Sequence, residues 1–237
     1  MDNDTSDHSG SDRPYLTALA AAYARGVRPA LALPDELGQR PFPTLSPAEM
    51  ERILKAAQRA GLRLDRFKRT RGLPRVSRVL GALRGIQPTN LLDIGSGRGA
   101  FLWPLLAEMP GLPVTAVDLL PHRLQVIAAV QRGGLDSLTC ARMDATRLAF
   151  PDASFDVVTL LETLEHIPDT ASAVAEVARV ARRFVLLSVP SQADDNPEHL
   201  HLFSQESLRA LFAAAGVGRL KFSYVPKHLL VVAAKEP

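Results

Sequence analysis

The pattern of apolar residues changes along the chain at about residue 90. From Asn90 onward, short apolar runs alternate with longer segments in which apolar residues recur at helical spacing. The short apolar runs are typical of buried strands, and the spacing of apolar residues in the longer segments is typical of amphipathic helices. The predicted strands are Leu91–Ile94, Val114–Val117, Leu138–Ala141, Val157–Leu161 and Phe184–Val189. The predicted helices are Ala100–Glu108, His122–Arg132 and Ala171–Arg182. This alternation predicts βαβ units and a parallel sheet.

The end of the chain has a different pattern. After a predicted helix over Ser204–Ala215 come two strand-like segments, Lys221–Val225 and Leu229–Ala233, joined by Pro226-Lys227. This connection is too short for a parallel crossover, so the last strand must run antiparallel. The predicted fold class is therefore α/β: a doubly wound, mostly parallel seven-stranded sheet with its last strand antiparallel, helices on both faces and an N-terminal helical extension.

The N-terminal part divides into a tail and an extension. Residues 1–13 are polar and acidic and are predicted to be disordered, and an Ala-rich helix follows over Pro14–Ala24. The proline-rich stretch Val27–Leu45 is predicted to wrap the surface as an ordered loop. A capping box, Ser46-Pro47-Ala48-Glu49, then opens a helix that Gly61 ends. A further helix is predicted from Pro74 to Gly85. The predicted organisation is a tail (1–13), an extension (14–74) and an α/β domain (75–237).

Composition indicates a folded protein and excludes several classes. Of the 237 residues, 46% are hydrophobic and 22% are charged, which is typical of a globular domain. The single cysteine excludes an internal disulfide framework and a cysteine-based zinc site. No apolar run approaches the roughly 18 residues of a membrane span, and the acidic start differs from a signal peptide. The sequence therefore predicts a cytoplasmic protein without membrane association.

The net charge of +3 is unevenly distributed. Between Arg52 and Gly85 there are eleven basic residues and one acidic residue, Asp65, which gives +10 there and −7 elsewhere. Two interpretations remain open. The charges are either the solvated faces of amphipathic helices or a surface that contacts nucleic-acid phosphates.

The strongest chemical signal is the segment LLDIGSGRG, residues 91–99. A buried strand runs into a glycine-rich turn and a helix follows, which is the arrangement that binds ligands at the crevice beyond parallel strand ends. Gly95-x-Gly97-x-x-Ala100 also fits a dinucleotide-binding pattern. Asp93 argues against that interpretation, because a carboxylate there fits poorly beside a pyrophosphate and suits a ligand that carries an ammonium and a sulfonium.

These residues resemble the first motif of the class I S-adenosylmethionine-dependent methyltransferases, and the resemblance covers about residues 75–237. It implies that Asp118, in VTAVDLL, accepts the ribose hydroxyls and that Asp144, in ARMDAT, binds the adenine amino group. Helix capping by Asp118 and an ordinary Asx turn at Asp144 remain alternatives, while Asp156 is interpreted as structural. The implied cofactor is S-adenosylmethionine, and the implied binding residues are Asp93, Gly95, Ser96, Gly97, Gly99, Asp118, Leu119, Met143, Asp144, Ala145, Leu161 and Glu162.

The sequence departs from the family pattern before the fifth strand. The family usually has a glycine-containing turn there, whereas Arg182-Arg183 runs directly into FVLLSVP in this chain. The departure affects a loop rather than the expected cofactor site.

Candidates for the acceptor side follow the fourth and fifth strands, in the segments 162–166 and 194–201. The carboxyl ends of neighbouring parallel strands share one edge of the sheet, so the predicted catalytic residues are His166, His201 and Glu165. His122 and His228 are predicted to lie far from this edge. A metal site remains an alternative, because Glu162, Glu165, His166 and His201 resemble residues that hold a divalent ion in small-RNA 3′-terminal 2′-O-methyltransferases. Similar segments also occur in metal-free enzymes, so no metal ligand is assigned.

The predicted function is transfer of a methyl group from S-adenosylmethionine to a small-molecule acceptor by in-line displacement, with the O, N or C atom unresolved. The alternative is an RNA methyltransferase that uses the basic 52–85 segment, with metal-assisted 2′-O-methylation as one form of it. Aromatic residues are only 5% of the chain, so few side chains are available to stack with nucleic-acid bases. An NAD(P)-linked enzyme or a cofactor-binding regulatory subunit completes the alternatives. The sequence makes no prediction of oligomeric state.

Overall fold

The computed structural model describes residues 16–27, 37, 41–67 and 72–235. The predicted tail, most of the proline-rich stretch and residues 68–71 of the basic segment lie outside the described residues. Within the described part, no helix combines the length and the apolar character that crossing a membrane requires.

A single mixed sheet forms the centre of the structure. Its order is β3-β2-β1-β4-β5-β7-β6, and β7 runs antiparallel to both of its neighbours while the other six strands are parallel. The predicted α/β topology is confirmed. The strands are β1 Leu91–Ile94, β2 Val114–Asp118, β3 Leu138–Arg142, β4 Phe155–Leu161, β5 Ala181–Pro190, β6 Arg219–Val225 and β7 His228–Ala234.

Helices cover both faces of the sheet. Within the described residues they are α1 Thr17–Val27, α2 Pro47–Arg59, α3 Pro74–Ile86, α4 Leu102–Glu108, α5 Pro121–Arg132, α6 Thr170–Val180 and α7 Gln205–Ala214. The predicted capping box is present at the start of α2: the Glu49 N–H donates to Ser46 Oγ at 3.3 Å, and the Ser46 N–H donates to Glu49 Oε2 at 2.7 Å. Helix α3 continues one residue beyond Gly85 and ends with Gln87 in the left-handed conformation.

The central strands are apolar because water reaches neither of their faces. Every residue of β1 and β4 is buried, and the two strands pair in register from Leu91 with Val157 to Ile94 with Leu160. Buried parallel strands of this kind appear in sequence as continuous apolar runs rather than as an alternating pattern. The carboxyl ends of β1, β2 and β4 therefore form one edge of the sheet.

Two arginines replace the expected glycine-containing turn before β5. Helix α6 ends at Val180 and β5 begins at Ala181, so no loop separates the two elements. Both Arg182 and Arg183 donate to the carboxylate of Asp156, at 3.0 and 2.9 Å, and the Thr89 N–H also donates to it at 3.0 Å. Asp156 is fully buried, and these donors give it a structural role at the start of β4.

The N-terminal extension shares its core with the α/β domain. Helix α1 lies so close to α5 that a Cβ on Gly26 would be 1.7 Å from the Ala129 carbonyl oxygen, and a Cβ on Gly133 would be 1.7 Å from the Ala22 carbonyl oxygen. Backbone contact of this closeness requires glycine. The ring of Phe67 lies between those of Tyr23 and Trp103, with centroids 5.2 Å from each.

Candidate functional site

A cavity of about 560 Å³ opens at the carboxyl ends of β1, β2 and β4. Eleven of the twelve predicted cofactor-binding residues line it, and only Gly99 does not. Five carboxylates line the cavity (Asp93, Asp118, Asp144, Glu162 and Glu198), together with three guanidinium groups (Arg75, Arg98 and Arg123). The four sequence blocks, separated by up to about 70 residues of chain, thus converge on one site.

The glycine-rich turn after β1 forms the floor of the cavity. Gly95, Gly97 and Gly99 all have positive φ angles, of 71°, 56° and 82°, which residues other than glycine rarely adopt. A Cβ on Gly95 would lie 2.3 Å from Thr163 Oγ1, so the turn also packs tightly against the segment after β4. Gly99 makes its close approach to Trp103, whose Nε1–H donates to the Arg98 carbonyl at 2.9 Å. That contact explains why Gly99 shapes the turn without lining the cavity.

Asp93 is a buried carboxylate at the base of the turn. It is only 2% exposed, and each of its oxygens accepts a hydroxyl hydrogen bond at 2.7 Å, from Ser96 Oγ and from Thr159 Oγ1. Burial raises the pKa of Asp93 to about 6, although the two hydroxyl hydrogen bonds act in the opposite direction. A cation bound nearby would favour the ionised form of this group.

Asp118 ends β2 and organises the backbone around the cavity. The Gly97 N–H donates to its Oδ2 at 3.0 Å, and the Leu120 N–H donates to its Oδ1 at 2.9 Å. Arg123 lies 3.7 Å from Oδ2. A carboxylate has about four acceptor positions, so these two bonds leave positions for hydroxyl donors of a ligand. The helix-capping alternative is not confirmed, because the Leu120 N–H precedes α5 and the described residues give this helix start no side-chain cap.

Asp144 forms an Asx turn after β3. Its Oδ1 accepts from the Thr146 N–H at 2.9 Å and from Thr146 Oγ1 at 2.8 Å. The Asx-turn alternative thus describes one oxygen of Asp144, and no hydrogen bond to Oδ2 is recorded among the described residues. Met143 and Ala145 flank Asp144 on the cavity wall, where they provide apolar surface beside a polar acceptor.

Glu162 follows β4 and is held by two other strands. Its φ angle is 52°, its Oε1 accepts from Ser188 Oγ at 2.7 Å, and its Oε2 lies 2.9 Å from His228 Nε2. The prediction that His228 lies far from the site is wrong. His228 begins the antiparallel strand β7 opposite Pro190, the last residue of β5, so it returns to the cavity edge. The predicted antiparallel direction of β7 was a sufficient signal to find it.

His166 is the predicted catalytic residue that lines the cavity. It lies on the 3-10 turn Leu164–His166 after β4, and its Nδ1 is 2.9 Å from the Glu198 carbonyl oxygen. A carbonyl can only accept, so Nδ1 carries the hydrogen, and in the neutral ring the lone pair is on Nε2. Thr163, Ile167 and Glu198 line the cavity beside His166.

The other two predicted catalytic residues lie behind this wall. His201 Nε2 is 3.0 Å from the Ile167 carbonyl oxygen, and its ring packs against Phe203. Glu165 is completely buried, and neither of its carboxylate oxygens has a hydrogen-bond partner in the part of the chain that the structure describes. Burial raises the pKa of Glu165 to about 8, with a smaller contribution in the same direction from Glu162.

His199 lies in the candidate segment 194–201 but was not among the three predicted catalytic residues. Its ring lies against His166 with centroids 4.9 Å apart, and its Nδ1 is 2.8 Å from Asp194 Oδ1. Glu165, His166 and His199 together place one potential ligand atom each within 4.8 Å of the others. The His-x-His pattern was visible in the sequence, but only the folded loop selects its first histidine for this cluster.

Several basic residues in the described part of the basic segment contact other side chains of the same chain. Lys55 pairs with Glu51 at 3.6 Å, Arg84 pairs with Glu108, and Arg66 lies over the Tyr23 ring. Arg75, at the start of α3, instead lines the cavity. One basic residue of the segment therefore has a direct place in the site.

Comparison with known proteins identifies relatives of the same architecture. Residues 92–187 match the family model described as a methyltransferase domain. The demethylmenaquinone methyltransferase of Roseiflexus sp. (strain RS-1) is 32% identical over 171 residues, which cover 67% of this chain and 68% of the relative. The demethylmenaquinone methyltransferase of Deinococcus radiodurans is 30% identical over 149 residues, which cover 60% of this chain and 61% of the relative. The matched region thus spans about three-fifths to two-thirds of these two relatives.

A solved structure matches the fold over a similar length. The YcgJ protein of Bacillus subtilis superposes with a TM-score of 0.53 and 25% sequence identity, over 63% of this chain and 69% of that one.

Proposed function

The chain belongs to the class I S-adenosylmethionine-dependent methyltransferases, and from this membership we propose that it transfers the cofactor's methyl group to a small-molecule acceptor. One observation carries the proposal: eleven predicted cofactor-binding residues, from four separate blocks of the sequence, line a single cavity. A cavity at the carboxyl edge of a doubly wound sheet is the usual place for a ligand in this fold class.

In this proposal, each of three carboxylates binds a different part of the cofactor. Asp118 accepts the two ribose hydroxyls, since its remaining acceptor positions face the cavity. Asp144 accepts the adenine amino group through Oδ2, and Met143 and Ala145 contact the adenine ring. Asp93 stabilises the cationic methionine end from beneath the glycine turn.

The reaction itself needs little covalent help from the protein. A lone pair of the acceptor attacks the methyl carbon in line with the carbon–sulfur bond, which breaks as the new bond forms. The sulfonium becomes a neutral thioether, S-adenosylhomocysteine, and the acceptor loses one proton if it carried one on the attacking atom. Catalysis then rests mainly on alignment and the exclusion of water. His166 lines the cavity wall, and it is the residue proposed to contact the acceptor through Nε2.

The proposed acceptor class is a small hydroquinone or phenol. Two relatives are named for demethylmenaquinone methylation, and this chain has apolar side chains, Val76, Phe101 and Ile167, on the wall of the same cavity. An aromatic ring would bury its face against such residues. The atom that receives the methyl group depends on which position of the ring is presented to the sulfonium.

Binding and turnover test the proposal in two steps. Calorimetry should show binding of S-adenosylmethionine and S-adenosylhomocysteine but not NAD. Incubation with S-adenosylmethionine and a panel of hydroquinones should then give a product heavier by one methylene group, detected by mass spectrometry. Binding of NAD alone contradicts the proposal. Tight binding of short RNA that weakens steeply with added salt would favour the RNA alternative.

A further inference from the structure

We propose that Glu165, His166 and His199 form a binding site for one divalent transition-metal ion at the acceptor wall of the cavity. This inference goes beyond methyl transfer, because it assigns a second bound species to residues that the cofactor does not use. His166 and Glu198 line the cavity, so an ion held by this cluster would have an open coordination position toward it.

The ligand atoms are already close together. One potential ligand atom from each of the three residues lies within 4.8 Å of the other two. Nitrogen and oxygen ligands bound to one zinc ion, each at about 2.1 Å, are separated by roughly 3 to 4 Å. The side chains therefore need to approach by only about an ångström, a movement within the reach of small side-chain rotations.

Glu165 supplies the observation that is hardest to explain without a ligand. Its side chain is completely buried, and among the described residues neither carboxylate oxygen has a hydrogen-bond partner. Buried polar groups in proteins nearly always have partners, because losing water without a replacement hydrogen bond or ligand costs free energy even for a neutral carboxyl group. A cation bound between Glu165 and the two imidazoles compensates this cost directly.

The two histidines are oriented as metal ligands are. His166 Nδ1 is 2.9 Å from the Glu198 carbonyl oxygen, and His199 Nδ1 is 2.8 Å from Asp194 Oδ1. Both partners accept a hydrogen from Nδ1, so in the neutral form of each ring the lone pair on Nε2 is available to a metal ion. Metal-binding histidines almost always donate their second ring N–H to a carboxylate or a carbonyl in this way.

The two loops that carry the ligands are fixed to each other. The Leu200 N–H donates to the Glu165 carbonyl oxygen at 2.8 Å, which ties the 3-10 turn to the loop after β5. His199 precedes Leu200 directly, so this backbone bond sets its distance from Glu165. The cluster is therefore formed by main-chain geometry as well as by side-chain position.

The ligand set selects the class of ion. Two imidazoles and one carboxylate suit Zn²⁺, Co²⁺, Fe²⁺ or Mn²⁺, whereas Mg²⁺ and Ca²⁺ prefer oxygen ligands alone. The surrounding charges are Glu162 and Asp194, which favour a cation, and Arg75, which opposes it. An ion with an open position would bind an oxygen of the proposed hydroquinone and make its proton easier to lose. His166 would then act as a ligand and not as a base.

This site differs from the metal alternative considered from the sequence. Glu162 uses its two oxygens on Ser188 and His228, and His201 directs Nε2 to the Ile167 carbonyl. Neither is in the cluster, and His199 takes the place of His201. The fold thus points to three ligands rather than four.

Metal titration of the tag-free full-length chain tests the inference directly. The protein is stripped with a chelator, dialysed and titrated with ZnCl₂ by calorimetry, and the complex with Co²⁺ is examined by visible absorption. One ion per chain and a cobalt spectrum typical of nitrogen and oxygen ligands are expected. His199→Gln and Glu165→Gln should each weaken zinc binding by roughly tenfold or more, while His122→Gln, on the exposed face of α5, should leave it unchanged.

Two further measurements test the metal site if the ligand variants do not fold and separate it from the proposed function. Asp194→Asn, at a half-exposed residue that only orients His199, should weaken zinc binding by roughly tenfold even if the ligand variants do not fold. Absence of saturable zinc and cobalt binding, or equal binding by the wild type and His199→Gln, overturns the inference. Binding of S-adenosylmethionine is measured on the same samples. Loss of that binding with zinc binding intact would contradict the proposed function and leave the metal site standing.

Discussion

His228 Nε2 lies 2.9 Å from Glu162 Oε2, so the first residue of β7 contacts the residue that follows β4 at the cavity. The other ring nitrogen, Nδ1, is 2.9 Å from the Pro226 carbonyl oxygen. Both ring nitrogens of His228 therefore lie within hydrogen-bond distance of an acceptor oxygen. The contact holds Glu162 in a left-handed backbone conformation that is unusual for a glutamate.

Removing this contact should loosen Glu162 without unfolding the protein. In His228→Gln we expect S-adenosylmethionine to bind about fivefold more weakly, equivalent to about 1 kcal/mol for a hydrogen bond between two partly buried side chains. Calorimetry measures the affinity, and thermal unfolding should show a midpoint within a few degrees of the wild type. His122→Gln is the control. Unchanged affinity in His228→Gln would mean that Glu162 needs no support from β7.

Asp118→Asn tests the proposed ribose contact with little change of shape. The amide oxygen can still accept from one backbone N–H, but its nitrogen cannot accept a ribose hydroxyl. We expect a loss of about 2 to 3 kcal/mol, or 30- to 150-fold in cofactor affinity, measured by calorimetry. Asp136→Asn, at an exposed residue before β3, is the matched control. An affinity within twofold of the wild type would remove Asp118 from the cofactor site.

Cofactor affinity should depend on pH through Asp93. Burial raises the pKa of Asp93 to about 6, so the free protein becomes protonated there below that pH and loses its attraction for a cation. We expect the dissociation constant to rise by up to about tenfold per pH unit below pH 6. In Asp93→Asn the affinity should be low at neutral pH and nearly flat over this range. A wild-type affinity that does not change between pH 7 and 5 would contradict this role.

The same raised pKa affects stability in a defined direction. Because the pKa of Asp93 is higher in the folded than in the unfolded chain, the folded state binds more protons between about pH 4 and 6. The free energy of unfolding contributed by Asp93 therefore falls as pH rises through this window. Urea unfolding without cofactor should show this slope in the wild type, and Asp93→Asn should lack it.

Asp156 should matter for stability and not for cofactor binding. Burial alone would raise its pKa, but hydrogen bonds from Thr89, Arg182 and Arg183 hold the pKa below its ordinary value. Its stabilisation is therefore present near neutral pH and lost as acid protonates the group. Asp156→Asn should lower the free energy of unfolding by about 2 to 3 kcal/mol, measured by urea unfolding, with cofactor affinity unchanged at a permissive temperature. A strong loss of affinity in the folded variant would place Asp156 in the site instead.

The packing of α1 on α5 can be tested with a matched pair of glycines. In Gly133→Ala the new methyl group would lie 1.7 Å from the Ala22 carbonyl oxygen, so α1 must move away. We expect a loss of at least 3 kcal/mol in the free energy of unfolding. Gly85→Ala, in helix α3 with open space around it, should instead stabilise the protein by about 0.5 to 1 kcal/mol. Equal stabilities of the two variants would show that the helices separate at no cost.

The strand–helix pattern was sufficient to predict the order and type of the elements from residue 90 onward. Buried parallel strands need continuous apolar runs, and the short Pro226-Lys227 connection permits only an antiparallel last strand. The glycine turn and the acids after the strands were equally visible, because local backbone geometry and strand ends determine where they lie. Boundaries were less exact: α6 ends at Val180 rather than Arg182, since both arginines are needed by the buried Asp156.

Contacts between distant segments were decided by the tertiary structure alone. The sequence by itself determined the sheet, the cofactor loop and the set of acids at its edge, since these follow from periodicity and chain direction. Only the folded chain grouped His199 with His166 and Glu165 and packed α1 against α5. The physical reason is that side-chain partners across loops depend on how the loops close over the sheet, and no local pattern of residues encodes that closure.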